Sequence, residues 1–185
     1  MTPEKQAIAD FLNHYLSFAT IIGALFCVLW VIALIYSHKT QKEVQLFLTF
    51  VKYALPIGFF VSIAGTVMTL YYSDYLGILP CGLCWFERTA LYSQVFLYGL
   101  AWYKKDFNIF SYTLVLSVFG GVVAIYHHYL QVGYSEFIPC PVVASTIDCA
   151  KPTFVEYGFV TFPFMAVVLF SMLILQSITV KRLMK

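Results

Sequence analysis

Charge is what this sequence has least of. Only 11% of its 185 residues are Asp, Glu, Lys or Arg, against 61% hydrophobic. A soluble domain carries about 25% charged residues, so this chain has too little polar surface to enclose a water-soluble globule. Its net charge of +2 leaves no basic face for nucleic acid. Disorder needs low hydrophobicity, and a mean hydropathy of +0.82 is the reverse. Repeats, low-complexity runs and Pro/Gly-rich linkers are also missing, so nothing divides residues 1–185 into separate units. What remains is a single all-α domain embedded in a lipid bilayer.

A spanning helix needs roughly 20 mostly apolar residues. Five runs qualify: Tyr15–Tyr36, Leu55–Tyr75, Cys84–Tyr103, Ile109–His128 and Tyr157–Ile178. Pro56 is expected in the first turn of its helix, where a missing N–H is harmless. Pro163 is expected inside the last span, as a kink. The first run reads as a permanent span rather than a signal peptide. The stretch before it sets Lys5 against Glu4 and Asp10, and no small-x-small cleavage site follows.

Orientation follows from the basic residues. Lys39, Lys42, Lys52, Lys104, Lys105, Lys181, Arg182 and Lys185 fall on one face, while Lys5, Arg88 and Lys151 fall on the other. The positive-inside rule then puts the N-terminus outside and the C-terminus in the cytoplasm. Tyr71, Tyr72, Tyr75, Trp85, Trp102, Tyr103, Tyr126 and Tyr129 crowd the span ends as interfacial belts. Gly120 and Gly121, in mid-span, permit close helix packing.

There are five cysteines. Cys27 lies alone in the first span and reads as inert packing. Cys81, Cys84, Cys140 and Cys149 form two local pairs, all on the expected outer face, the side on which disulfides persist. The C-x-x-C of Cys81 and Cys84 suits redox chemistry or zinc. Haem attachment needs His where Trp85 stands. Eight residues separate Cys140 from Cys149, which is not a zinc-knuckle spacing. Two purely structural disulfides are the other reading.

Position argues for chemistry. Cys84 opens the third span, where a helix N-terminus favours the thiolate that exchanges disulfides. Pro80 restricts the entry. Arg88 lies one turn deeper on the same face. An arginine in a span costs at least roughly 2.5–3.5 kcal/mol unless it is paired or wet. It either pairs with Glu87 or Asp74 as an anchor, or stands as a fixed cation beside the cysteines. His127 and His128 close the fourth span. They read as polar end-caps, or as hydrogen-bond or proton donors to a reducible ligand. Haem b would need His14 as a second axial ligand. The loop Tyr129–Glu156 is the longest outside the spans and carries Cys140 and Cys149 among Pro139, Pro141 and Pro152. From His128 to Cys140 it reaches at most ~40 Å, enough to meet both the first pair and a soluble partner.

Three stretches resemble one family. "PCGLCWFERTALY" is similar to the C-x-x-C-x-(Y/F)-(E/Q)-R pattern of the DsbB/BdbC disulfide bond formation proteins. "YHHYLQ" looks like their H-x-x-L-Q, and "PC…DCAKPTF…YGFVTFPF" like their second cysteine pair and last helix. The resemblance covers about Tyr53–Val180. It implies a four-helix membrane bundle, to which Tyr15–Tyr36 adds a fifth span that turns the N-terminus outward. It implies a thiol:quinone oxidoreductase of the bacterial inner membrane that reoxidises a soluble, extracytoplasmic, DsbA-like thioredoxin-fold oxidase. By position, Cys140 and Cys149 match the pair that meets the oxidase, with Cys140 forming the mixed disulfide. Cys81 and Cys84 match the pair that hands electrons on. Arg88 and His127 match the site for a membrane quinone, ubiquinone or menaquinone. The short loop between Cys140 and Cys149 is closer to the BdbC branch. A vitamin K epoxide reductase-like enzyme is a rival, but its C-x-x-C follows the loop pair, whereas here it precedes it. A non-enzymatic membrane subunit with structural disulfides is the other.

Overall fold

The computed structural model describes residues 2–40, 45–134, 140 and 148–184. Pro139, Pro141 and Glu136 of the long loop, and Lys42 and Lys185 among the basic residues, lie outside the described residues. Five long helices follow one another: α1 (Pro3–Thr40), α2 (Gln45–Leu70), α3 (Gly82–Lys104), α4 (Ile109–Gln131) and α5 (Phe162–Leu183). A π-helical turn, Tyr71–Tyr75, continues α2. Among the described residues the only β contact is an isolated antiparallel bridge between Glu156 and Val160.

Four of the helices are long and apolar enough to cross a membrane. The exception, α3, has spanning length at 23 residues but carries Glu87, Arg88 and Gln94. The outer surface is greasy, as lipid contact requires: Phe96, Val115 and Leu29 are each more than half exposed. The chain is therefore a multi-pass membrane protein built as an all-α bundle.

Two proline expectations are corrected. α2 starts at Gln45 rather than near Leu55, so Pro56 lies in the helix interior. Its missing N–H removes a bond to the Lys52 carbonyl. Close by, the buried Gln176 amide of α5 donates to the Ala54 carbonyl. The last helix starts at Phe162 rather than Tyr157, so Pro163 sits in its first turn and does not kink it. The residues before it turn instead: Tyr157 and Gly158 both have positive φ, and Glu156 and Val160 close the turn.

The bundle is held by close packing and by interhelical hydrogen bonds, the two means that work in lipid. α4 lies against α5, and a Cβ at Gly120 would collide with the Phe170 ring. Tyr98 of α3 donates its hydroxyl to Thr113 of α4 at 3.1 Å. Ser117 of α4 donates to Gln94 of α3 at 3.1 Å. α1 packs chiefly on α5. At 38 residues it measures about 57 Å, longer than a hydrocarbon core of ~30 Å. It is fastened along this length: Arg182 of α5 donates to the Leu34 carbonyl at 2.9 Å, and Lys5 donates to the Tyr75 carbonyl. Cys27 is buried in it as a free thiol.

Candidate functional site

The site forms where α3 begins. Pro80 and Cys81 approach in extended conformation, and Cys81 is the N-cap of the helix. Its sulfur accepts the Cys84 backbone N–H at 3.2 Å. Sequence spacing put the helix N-terminus to work on Cys84. The helix starts two residues earlier, so the N-terminal amides act on Cys81 instead. This is an N-cap bond with a sulfur acceptor in place of the usual oxygen.

α4 brings His127 against the pair from the other side. His127 is 1% exposed. Its Nδ1–H donates to Glu87 Oε1 at 2.9 Å, which leaves Nε2 facing the Cys81 sulfur at 3.4 Å. The Gln131 amide nitrogen, one turn on, lies 3.2 Å from the same Nε2. The sulfurs of Cys81 and Cys84 and a His127 ring nitrogen all lie within 4.8 Å of one another. This is a thiol, a base and an orienting carboxylate in sequence, the arrangement that activates a nucleophile. The Cys81 thiol is lowered to about 5, first by the hydrogen bond with the Cys84 side chain and then by His127, against the opposing effect of burial. These contacts favour the thiolate form of Cys81.

His128, the neighbour, turns away: its Nδ1 is 3.0 Å from the Thr161 hydroxyl. In the sequence Glu87 stood as one alternative partner for Arg88, and its contact with His127 across the bundle was not legible. Arg88 pairs with neither Glu87 nor Asp74. Its Nη2 donates to the Thr69 carbonyl at 3.0 Å, and its guanidinium lies 5.5 Å from the Trp85 ring centre. Thr69 stands just ahead of the π-helical turn, a distortion that often marks functional sites.

The second pair is joined. Cys140 and Cys149 form a disulfide, while Cys81 and Cys84 are free. Cys149 is fully buried and Cys140 partly exposed. All four cysteines belong to one packed cluster with Leu83 and Leu130. The Gln131 amide also reaches the Cys149 carbonyl, at 3.5 Å. The six residues singled out from the sequence, Cys81, Cys84, Arg88, His127, Cys140 and Cys149, thus gather at one end of the bundle. A closed metal site needs four ligands. Cys81, Cys84 and His127 could supply three, but Cys140 and Cys149 are engaged with each other.

A cavity of about 420 Å³ opens beside the pair. Cys81, Cys84, Arg88 and His127 line one part of it, and apolar side chains such as Leu91, Leu169 and Met172 line the rest.

The disulfide bond formation protein DsbB family matches residues 52–180. The SPbeta prophage-derived disulfide bond formation protein B of Bacillus subtilis is 35% identical over 124 residues, which is 67% of this chain and 82% of that protein. Disulfide bond formation protein C of the same organism is 30% identical over 117 residues, 62% of this chain and 83% of that protein. A probable disulfide formation protein of Chlamydia caviae is 36% identical over 110 residues, 60% of this chain and 78% of that protein. No solved structure matches the chain.

Proposed function

The chain belongs to the DsbB disulfide bond formation family, and from that premise we propose that it is a thiol:quinone oxidoreductase that recharges a soluble thiol oxidase. The loop pair is the entry. A thiolate of the reduced, thioredoxin-fold oxidase attacks the Cys140 sulfur, which is the accessible one, and Cys149 leaves as thiolate. The oxidase's second thiolate then attacks the mixed disulfide. The oxidase departs oxidised, and Cys140 and Cys149 are left as a dithiol carrying its two electrons and two protons. That dithiol reduces a Cys81–Cys84 disulfide by the same exchange chemistry, which restores the Cys140–Cys149 bond.

The first pair must then lose two electrons. A quinone bound beside Arg88 and His127 would supply the two-electron, two-proton acceptor. The residues present fit such a group. Arg88 and His127 offer polar contacts beside Cys84, and the remaining wall is apolar, as a membrane-soluble molecule needs. His127 receives the Cys81 proton at Nε2, and Glu87 holds the ring in the tautomer that can do so. Arg88 supplies a cation at the edge of the apolar region, where anionic character is otherwise costly. The cysteines face the outside of a bacterial inner membrane, as the distribution of Lys and Arg indicates.

The observation that carries this reading is the single cluster of four sulfurs, with the Cys81 sulfur capping a helix, beside a cavity lined by Arg88. It is tested by thiol trapping of both pairs in membranes with and without quinone. Both pairs accumulating as dithiols on quinone depletion is the expected result. Cysteines indifferent to quinone would replace this reading with that of a membrane subunit bearing structural disulfides.

A further inference from the structure

The helix α1 has no part in the reaction so far, and it lies outside the residues that match the family. Its placement is nevertheless specific. α1 and α2 touch at both ends. At one end Tyr72, in the turn that continues α2, donates its hydroxyl to Asn13 at 2.8 Å, and Ala9 packs with Tyr72 and Leu76. At the other end the Trp30 ring lies 5.0 Å from that of Phe47 and 4.6 Å from that of Phe50. There Trp30 also donates its indole N–H to Thr179 of α5 at 3.0 Å.

Between these clasps the two helices part. The space between them is the inner reach of the cavity that begins at the cysteines. Ala19, Thr20 and Gly23 of α1 and Ala64, Gly65 and Met68 of α2 line it, together with Val168, Leu169 and Met172 of α5, the helix toward which Gly23 and Gly65 point. Most of these side chains are too small to fill the gap. Ala19 and Ala64 remain exposed, so the gap opens sideways toward lipid. Gly23 has a second reason to lack a side chain: a Cβ there would come within 2.7 Å of the Met172 methyl of α5. One continuous cavity therefore has a polar, sulfur-bearing end and an apolar end that leads to the bilayer. That gradient suits a ligand with a reducible head and a long apolar chain.

We propose that α1 is the outer wall of a tail-binding channel, in which the polyprenyl chain of the membrane quinone passes between α1 and α2 along Ala19, Thr20 and Gly23. The proposal rests on the thiol:quinone reading and adds to it a set of residues that favours tailed ligands over bare rings. Without α1 the same groove would face lipid openly.

The test is equilibrium binding to the full-length protein in nanodiscs, read by quenching of intrinsic tryptophan fluorescence. The two probes are a menaquinone with a polyprenyl tail and the tail-less naphthoquinone ring. Ala19→Phe and Thr20→Phe, each filling the gap from α1, are expected to weaken binding of the tailed quinone about ten-fold, with the bare ring shifted less than about two-fold. Leu29→Phe, on the lipid-exposed face of α1, is expected to change neither, and the melting temperature of each variant reports on folding. Two fillers at separate positions guard against one of them misfolding. Equal weakening for both ligands, or no change for either, overturns the channel. The second of these results is also what a phospholipid acyl chain resident in the gap would give. If the unmodified protein binds neither of these probes nor their ubiquinone and benzoquinone counterparts, the thiol:quinone reading itself falls.

Discussion

The two cysteine pairs are held in opposite ways. Cys81 and Cys84 sit on the first turn of a helix, where a backbone amide, an imidazole and, behind it, a carboxylate all act on one sulfur. Cys140 and Cys149 sit in a loop, and the polar contact that reaches them from the bundle is the Gln131 amide on the Cys149 carbonyl. The first pair is tuned by fixed neighbours and the second is presented. A relay needs both kinds. The member that meets a soluble protein must be reachable, and the member that faces the membrane must have its charge managed in place.

The sharpest way to break this contrast is to remove one sulfur from each pair. Cys84→Ser should lower turnover by at least about a thousand-fold, because a single thiol cannot close a disulfide. Cys140→Ser should abolish oxidation of the soluble partner equally. It should leave Cys81 and Cys84 oxidisable when dithiothreitol and quinone are supplied directly. If Cys140→Ser also silences the first pair, the two are not separate stations. Next in size is His127→Ala, expected to slow reoxidation of the first pair by about a hundred-fold through loss of the base at Cys81. Alkylation of Cys140 and Cys149 in the reduced protein should be untouched by it. Glu87→Gln keeps the hydrogen bond but loses the charge, and should cost about ten-fold in kcat with little change in KM. Arg88→Ala should show the converse split, raising the apparent KM for quinone about ten-fold.

The smallest effect concerns pH. With its thiol lowered to about 5, Cys81 is the ionised form above that value and loses reactivity only as pH falls through it. Between pH 7 and pH 5 its alkylation by a neutral reagent should fall about two-fold, whereas an ordinary thiol with a pKa near 8.5 loses about a hundred-fold. Mass spectrometry of the reduced protein separates the sites. A Cys81 profile as steep as that of an ordinary thiol would remove the contrast between the pairs.

Much of this was legible in advance because lipid imposes simple bookkeeping on length and charge. The apolar runs predict the five helices, and the exceptions to apolarity, Arg88 and the paired cysteines, predict which end carries the chemistry. Helix boundaries were not legible at either proline. Both Pro56 and Pro163 fit a first turn or an interior equally well, and the neighbouring backbone decides. The cap at Cys81 was missed for the same reason, since a shift of two or three residues changes which sulfur meets the helix N-terminus. Glu87 was missed as the partner of His127 because that contact joins α3 to α4, and no local spacing encodes it. The wall formed by α1 was hidden more deeply. In a helix that is apolar all round, the face that packs and the face that meets lipid look alike, so Ala19 and Gly23 gave no sign of facing a cavity.

The burial of Cys149 in the same cluster as Cys81 has a consequence for rate. Disulfide exchange between free molecules waits on collision, whereas reacting groups held in contact behave as though dissolved at very high concentration, about 10⁵–10⁸ M in well-oriented cases. With four sulfurs sharing one packed pocket, transfer between the pairs in the proposed relay would be an internal rearrangement, independent of how much protein the membrane holds. In the proposed cycle the concentration-dependent events would be the arrival of the soluble oxidase from one side and of the lipid-borne acceptor from the other. The two can be varied separately, so turnover should saturate in each without either altering the exchange between them.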